Sequence, residues 1–188
     1  LLPIASVLIE PAKILFMNNA INHGVLGPLG VVQAEETGES ILFMLETNPG
    51  PGLGILIAFW LAGPKLLRGS APGAIIIHFF GGIHEIYFPY VLMKPQVVLG
   101  AIVGGAVGVA TFMVTGVGLV ATPSPGSIFA YMAVTPSGNH LGVLLGIALS
   151  AAASFVVSWF ILKLSKVDAS EADFEAAKTR SKEMKAGK

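Results

Sequence analysis

The stretch from Pro95 to Leu162 contains no Asp, Glu, Lys or Arg, and this constrains the fold more than any other feature. A soluble fold needs charged side chains on its outside, whereas a helix that spans a bilayer needs about 20 apolar residues and few or no charges. The stretch has room for more than one such helix. Charged residues make up 12% of the whole chain, against about a quarter in ordinary globular proteins. We therefore predict an all-α integral membrane protein.

Composition also excludes several classes of function. The net charge is zero, which argues against a nucleic-acid surface. The absence of cysteine rules out disulfides, thiolate metal sites and cysteine nucleophiles. His78 and His84 lack partners at metal-ligand spacing, so neither a metal nor another cofactor is expected. The chain begins at Leu1 in apolar sequence without a signal-peptide pattern, and we interpret it as an internal piece of a larger membrane protein.

Two spanning helices are predicted, over residues 96–120 and 140–162. Each carries small side chains about every four residues, which places them on one helical face and lets another helix approach closely. These residues are Gly100, Gly104 and Gly108 in the first helix, and Gly142, Gly146, Ser150, Ser154 and Ser158 in the second.

Other apolar blocks are interrupted. Residues 41–63 are broken at 48–52, and residues 71–93 are broken at 81–85. The second block is too short to cross a bilayer twice, so it is either one broken span or a re-entrant hairpin. Two further interpretations concern the connecting segments: residues 32–40 as an acidic connector in water, and residues 121–139 as a second short hairpin or a partly buried loop.

The basic residues suggest a topology. Lys163 and Lys166 at the edge of the last apolar segment place the C-terminus in the cytoplasm. Counting backwards places Lys94 on the same side. Lys65 and Arg68 are also cytoplasmic if the block that follows them is a hairpin, but external if it crosses once. The positive-inside rule therefore favours the re-entrant hairpin.

Glu85 is the strongest functional clue because it lies in the middle of an apolar block. A carboxyl group at membrane depth is costly, and such residues usually mark a functional site. A carboxylate can accept hydrogen bonds from hydroxyls and can take a proton from one, which suits a polyol or sugar. The adjacent His84 is equally compatible with binding and with packing, whereas His78 is expected to be a satisfied buried histidine.

A second polar group consists of Asn18, Asn19, Asn22 and His23. On a regular helix, residues 18 and 22 would share one stripe and residues 19 and 23 the next. Their donors and acceptors suit a neutral solute with several hydroxyls. The alternative is that they form hydrogen bonds between helices, as asparagine does in membranes.

Three stretches, Asn18–Gly24, Ala71–His78 and Gly81–Tyr90, resemble the mannitol-specific enzyme IIC family of the bacterial phosphotransferase system. The Gly-Ile-x-Glu pattern at 82–85 is shared with related sugar permeases, and the longer stretches are more specific for mannitol. The resemblance extends over the chain up to the polar tail. It implies that residues 1–163 are the C-terminal part of the IIC membrane domain and that residues 164–188, an exposed helix or linker, are cytoplasmic.

What the resemblance implies is a homodimeric, multi-pass permease of the bacterial inner membrane, surrounded by lipid. Mannitol would bind from outside, be phosphorylated while bound by a phosphocysteine of a IIB domain, and be released inside as the phosphate. Glu85 would be the catalytic residue, at the tip of the re-entrant hairpin beside the reacting hydroxyl, and His23 would line the same site. Substrate binding would also involve Asn18, Asn19, Asn22 and His84.

By comparison with the family pattern that it resembles, the chain is expected to lack the N-terminal half of the membrane domain and the IIB domain with its cysteine. Alone it is expected to bind substrate at best and not to phosphorylate it. Two alternatives for function are a proton-coupled secondary transporter of sugars or polyols and a permease for another hexitol. A third is a structural membrane subunit in which Glu85 and the asparagines only pack.

Overall fold

The computed structural model describes residues 1–164 and 170–186, which are mainly helical and contain no β-strand. This agrees with the all-α prediction. The α-helices are α1 (Ser6–Ile14), α2 (Asn18–Ile21), α3 (Gly27–Thr37), α4 (Leu42–Leu45), α5 (Gly50–Ala62), α6 (Lys65–Ile75), α7 (Phe88–Met93), α8 (Val98–Thr115), α9 (Ile128–Ala133), α10 (His140–Leu164) and α11 (Glu171–Lys185). Short 3-10 turns cover Leu2–Ala5, His84–Tyr87 and Pro95–Val97, and π turns cover Asn22–Leu26 and Ile76–Phe80.

The two predicted small-residue faces meet, because α8 and α10 pack against each other in antiparallel directions. A Cβ atom added to Gly104 would lie 2.7 Å from the Cβ of Ser154, and one added to Gly108 would lie 3.0 Å from that of Ser150. The hydroxyl of Ser150 donates a hydrogen bond to the Gly104 carbonyl at 2.7 Å. The close approach and the satisfied hydroxyl agree with how small residues join membrane helices.

Helix α5 is the third member of this core and runs parallel to α10. Gly50 lies against Ser150, and Gly54 lies against Ser154. Residue numbers therefore increase in the same direction along both helices. Ser154 donates its hydroxyl to the Pro51 carbonyl at 2.7 Å. The break predicted at 48–52 lies at the start of this helix, where Pro49 precedes the first helical residue.

The first predicted spanning helix, over residues 96–120, ends earlier than expected. Helix α8 stops at Thr115 because Gly116 adopts a left-handed conformation, with φ of 65°, which is a common helix end for glycine. Beyond it, Leu119 pairs with Ser40 through two backbone hydrogen bonds of 2.8 and 3.1 Å. The segments Pro95–Thr115 and His140–Leu164 are long and apolar enough to cross a membrane, by length and composition.

The block predicted to be broken at residues 81–85 reverses the direction of the chain there. Helix α6 and its π turn end at Phe80, and the chain continues through the 3-10 turn into α7. The hydroxyls of Ser70 and Tyr90 lie 2.7 Å apart, so the two arms run side by side. We call residues 65–93 the hairpin, with its tip at 81–85.

The basic residues outside the tail gather at one end of the helical core, except for Lys13, which is buried beside Glu10. The start of α8 and the end of α10 lie at the same end because these helices are antiparallel, and α5 also ends there. Lys65, Arg68, Lys94 and Lys163 therefore lie at this end. Lys166, on which the topology prediction also relied, falls outside the described residues.

The C-terminal segment forms a largely exposed helix, α11, one face of which is buried. Leu164 still belongs to α10, and α11 packs on the hairpin with Phe174 only 5% exposed. The Phe174 ring lies 5.5 Å from that of Tyr90, measured between centroids. Ser170 and Asp173 form a complete capping box at the start of α11, and the Ser170 hydroxyl and N–H lower the pKa of the Asp173 carboxyl below its ordinary value.

Two connecting segments also differ from the prediction. The acidic connector predicted at 32–40 is helical as far as Thr37, where Gly38 ends α3 with a φ of 86°. The segment at 121–139 contains α9, and Tyr131 of this helix is fully buried. Apolar residues drive both differences, because α3 continues an apolar helix and α9 packs against the core.

Candidate functional site

A cavity of about 250 Å³ opens where four segments of the chain meet. Its lining comes from residues within 18–23, 46–47, 82–85 and 122–126. Helix ends and breaks supply all four segments, so backbone groups as well as side chains reach the cavity. Sites of this kind, formed by irregular backbone inside a helical membrane domain, are known to bind transported solutes.

All six residues singled out in the sequence line this cavity: Asn18, Asn19, Asn22, His23, His84 and Glu85. The two sequence-distant groups, around 18–23 and around 84–85, therefore face a common space. Their role in binding a substrate is a proposal.

The asparagine group is not the regular helix on which the two-stripe prediction depended. Helix α2 ends at Ile21, and a wider π turn follows, in which the Gly27 N–H donates to the Asn22 carbonyl. Pro28 explains the change, because it has no N–H to bond back to Gly24 and its ring crowds the preceding turn. All four residues still line the cavity, Asn18 and Asn19 from α2 and Asn22 and His23 from the widened turn.

Gly82 places Glu85 at the hairpin tip. Its φ is 73°, and a Cβ at this position would lie 2.6 Å from the backbone nitrogen of Ser127. Glycine is therefore required at this position for two reasons: the left-handed backbone and the close approach of the 122–127 segment. The 3-10 turn that begins at His84 then presents Glu85, whose side chain is 26% exposed.

His84 connects the tip to the opposite wall. Its Nε2–H donates to the Gly126 carbonyl at 3.0 Å, and its ring lies 4.6 Å from the ring of His78. His78 is fully buried and donates its own Nε2–H to the Pro49 carbonyl at 2.8 Å. His78 is thus buried, as expected, but it is hydrogen-bonded at Nε2 and not at Nδ1. His84 both packs and faces the cavity.

Sequence reasoning missed Glu46 and Thr47, which also line the cavity. Glu46 is 6% exposed, and the Thr47 hydroxyl lies 2.6 Å from that of Tyr131. A signal was present, since Glu46 is a lone carboxyl residue in an apolar run directly before the break at 48–52. The proline- and serine-containing segment at 122–126, which was interpreted as part of a second short hairpin or a partly buried loop, forms another wall.

A buried ion pair lies outside the lining of the cavity. Lys13 Nζ is 3.4 Å from Glu10 Oε2, and the two side chains are 1% and 0% exposed. Glu10 also approaches α8, because a Cβ at Gly105 would lie 3.0 Å from its Oε1. In the sequence both residues stand out only as interruptions of an apolar segment.

The cavity lining is polar but contains no Lys or Arg among the described residues. Amides offer donors and acceptors together, and the carboxylates of Glu46 and Glu85 accept hydrogen bonds from hydroxyls. No cluster of three histidine, cysteine or acidic residues that could hold a metal occurs in residues 1–164 and 170–186. This lining favours a neutral solute with several hydroxyl groups over an anion.

Comparison with known proteins gives a family match. The model of the family described as "Phosphotransferase system, EIIC" matches residues 3–105, which is more than half of the chain. No solved structure matches the chain significantly.

Curated relatives match the chain over nearly its whole length. It is 59% identical over 188 residues to the "PTS system mannitol-specific EIICB component" of Geobacillus stearothermophilus, covering 100% of this chain and 40% of the relative. The protein of the same name from Bacillus subtilis (strain 168) is 60% identical, covering 100% and 39%. The "PTS system mannitol-specific EIICBA component" of Escherichia coli (strain K12) is 54% identical, covering 99% and 29%. The chain thus spans well under half the length of these relatives.

Proposed function

This chain belongs to the EIIC family of the phosphotransferase system, and from that premise we propose that it forms the substrate-binding part of a mannitol permease. The main observation that supports this proposal is that the asparagine group and Glu85 line one polar cavity. The names of the relatives supply the choice of mannitol among polyols. The proposed activity is uptake of mannitol coupled to its phosphorylation.

The cavity suits a small polyhydroxylated solute. Its volume of about 250 Å³ lies just below the range of about 300–1,000 Å³ that is usual for drug-sized ligands. Asn18, Asn19 and Asn22 would each offer an amide donor and acceptor to hydroxyls, and His23 would add a ring nitrogen. The lack of a lining Lys or Arg argues against a substrate that arrives as an anion.

Glu85 is proposed as the general base. Its carboxylate would hold one substrate hydroxyl and take the proton as the hydroxyl oxygen attacks a phosphoryl group. The donor would be a phosphocysteine on a IIB domain, since this chain has no cysteine. The P–S bond breaks, the new P–O bond forms, the sulfur leaves as thiolate, and the proton stays on Glu85. This chain would bind substrate, and phosphoryl transfer would require the donor domain.

The hairpin at residues 65–93 is proposed to be re-entrant and to enter from the cytoplasmic side. Two observations support this: its arms run side by side, and Lys65, Arg68 and Lys94 lie with Lys163 at one end of the core. The positive-inside rule assigns that end to the cytoplasm. We also propose an inner-membrane location with several crossings, a cytoplasmic C-terminus and a homodimer, as the family resemblance implies.

Binding of labelled mannitol to the complete protein in membrane vesicles tests the proposal, with glucitol as competitor. We expect saturable binding that Glu85→Gln reduces by about tenfold or more, because the amide is a weaker acceptor for a buried hydroxyl. The matched control is Glu36→Gln, the same change at an exposed residue of α3. Unchanged binding in Glu85→Gln would remove Glu85 from the site and leave a packing role.

The same vesicles separate phosphorylating uptake from proton-coupled transport. We expect accumulated label to be mannitol phosphate and to require the phosphorylated cysteine-bearing donor. Accumulation of free mannitol driven by a proton gradient, without any donor, would instead identify a secondary transporter. Stronger competition by glucitol than by unlabelled mannitol would identify a permease for another hexitol.

A further inference from the structure

Tyr131 lies behind the wall of the cavity and contacts that wall through Thr47. Their hydroxyl oxygens are 2.6 Å apart although the residues are 84 positions apart in the chain. Tyr131 is fully buried and does not line the cavity, whereas Thr47 does. The Thr47 hydroxyl also lies 2.5 Å from the Phe43 carbonyl, to which it donates. Because a hydroxyl has only one proton, Tyr131 must be the donor in its bond with Thr47.

The connection between α8 and α10 contains Tyr131 and also forms part of the cavity lining, at residues 122–126. The Val120 N–H donates to the Val134 carbonyl at 3.0 Å, so the chain leaves and rejoins the core at one place. We call residues 120–134 the wall segment. It extends from the end of the core opposite Lys65, Arg68, Lys94 and Lys163, which the proposed topology assigns to the outside. The wall segment therefore meets the hairpin tip from the opposite side of the membrane.

Thr47 is anchored to the helical core. The next residue, Asn48, donates its side-chain N–H to the Ser150 hydroxyl of α10 at 3.2 Å. The Asn48 side-chain oxygen accepts from the Gly50 N–H at the start of α5, at 2.9 Å. Two helices of the core thus hold the stretch that carries Thr47, and Tyr131 attaches the wall segment to it.

The cavity-lining part of the wall segment follows any movement of Tyr131. Helix α9 begins directly after it, and the Ser127 carbonyl accepts from the Tyr131 N–H at 2.9 Å. Residues 122–126 form no helix themselves, so their position depends on attachments to other parts of the fold. One attachment is the bond between Tyr131 and Thr47, and the other is the bond from His84 at the hairpin tip.

We propose that Tyr131 is a positioning residue for the substrate, because through Thr47 it fixes residues 122–126 as the outer wall of the cavity. The inference rests on the proposed function and adds a residue that does not touch the substrate. A wall that is already fixed need not be ordered when the substrate binds, and this preorganisation raises affinity. Glu85 lies on the hairpin and not on the wall segment, so Tyr131 affects binding and leaves the reacting groups in place.

Tyr131→Phe in the complete protein tests this, with labelled mannitol and the phosphocysteine donor. We expect the Kd of mannitol to rise by about fivefold, which is the net contribution of one hydrogen bond. We expect kcat for phosphorylation to stay within about twofold. Thr47→Val removes the same bond from the other side, and the double variant should have a Kd little above that of the weaker-binding single variant. Thr47→Ser keeps the hydroxyl and should keep the Kd close to its normal value.

The matched control is Thr111→Val in α8. The Thr111 hydroxyl donates to the carbonyl four residues earlier, at 2.7 Å, as that of Thr47 does, but Thr111 does not line the cavity. Its Kd and kcat should match those of the unaltered protein.

Several results would overturn the inference. One is a normal Kd in Tyr131→Phe, including a normal Kd with fewer binding sites, which would show a role in folding alone. Others are an equal rise of Kd in Thr111→Val, and fully additive effects of Tyr131→Phe and Thr47→Val. If the unaltered protein neither binds nor phosphorylates mannitol, the proposed function fails instead.

Discussion

The side-chain hydroxyls of Ser70 and Tyr90 lie 2.7 Å apart although the residues are 20 positions apart in the chain. The Tyr90 ring also packs edge-on against Phe59 of α5 and Phe174 of α11, with centroid distances of 5.4 and 5.5 Å. One side chain thus joins both hairpin arms to the core and to the C-terminal helix. The position of Glu85 at the hairpin tip therefore depends on these contacts of Tyr90.

Tyr90→Phe should remove only the hydroxyl contact, because the ring and its packing stay. We expect a loss of about 1 kcal/mol in the free energy of unfolding, the usual value for one hydrogen bond. Thermal unfolding of the detergent-solubilised protein measures it. Ser70→Ala, alone and combined with Tyr90→Phe, completes a double-mutant cycle. The double variant should be little worse than either single one, and fully additive losses would contradict the contact.

Gly104→Ala should destabilise the contact between α8 and α10. The new Cβ would lie 2.7 Å from the Ser154 Cβ and 2.8 Å from the Ser150 carbonyl, so helix backbone would have to move. Such overpacking costs about 1–3 kcal/mol. The control is Gly73→Ala in α6, where nothing lies within 4 Å of the new Cβ and helix propensity favours alanine by up to about 1 kcal/mol. Equal unfolding temperatures for the two variants would contradict the close packing.

Much of the helical core could be predicted because its signals are local. An uncharged stretch predicts spanning helices, and small residues at a spacing of four predict the faces on which α8 and α10 meet. The predicted end of α8 was wrong because a single residue, Gly116, decides it by conformation, and apolar sequence continues beyond it. The polar composition of the C-terminal segment predicts an exposed helix or a linker, and α11 is largely exposed. Its buried face was not predicted because only Phe174 and two small residues form it.

The site was predictable in part for the same reason. Glu85 and the asparagine group carry their own signal, which is polarity inside apolar sequence. Glu46 carries a similar signal but so does Glu10, and only the three-dimensional packing places Glu46 at the cavity and Glu10 in a buried pair. The contact between Lys185 and Glu85 joins residues 100 positions apart, and no local pattern encodes it.

Gly82→Ala should abolish mannitol binding by displacing the hairpin tip. The substitution meets both a φ of 73° and a backbone nitrogen at 2.6 Å. Gly116→Ala is the matched control, since its φ of 65° is similar but nothing lies within 4 Å of the new Cβ. It should carry only the conformational cost of about 1 kcal/mol and retain binding. Loss of binding in both variants, or in neither, would show that the close approach at Gly82 does not position the site.

Lys13→Met should destabilise the protein strongly. It leaves the Glu10 carboxylate wholly buried without its cation, and removing one partner of a buried pair costs about 3–5 kcal/mol. The pair of Lys178 and Glu175 supplies a control with the same spacing of three residues, because its side chains are 42% and 63% exposed. Lys178→Met should therefore cost about 1 kcal/mol or less.

A second substitution separates the loss of the cation from the loss of packing around Lys13. Glu10→Gln combined with Lys13→Met removes the uncompensated charge while keeping the size of both side chains, and it should recover most of the stability lost in Lys13→Met. Thermal unfolding and the yield of folded protein in membranes are the measurements. If the double variant is as unstable as Lys13→Met, the Lys13 side chain acts through its packing. The buried charge on Glu10 would then not be what makes the lysine necessary.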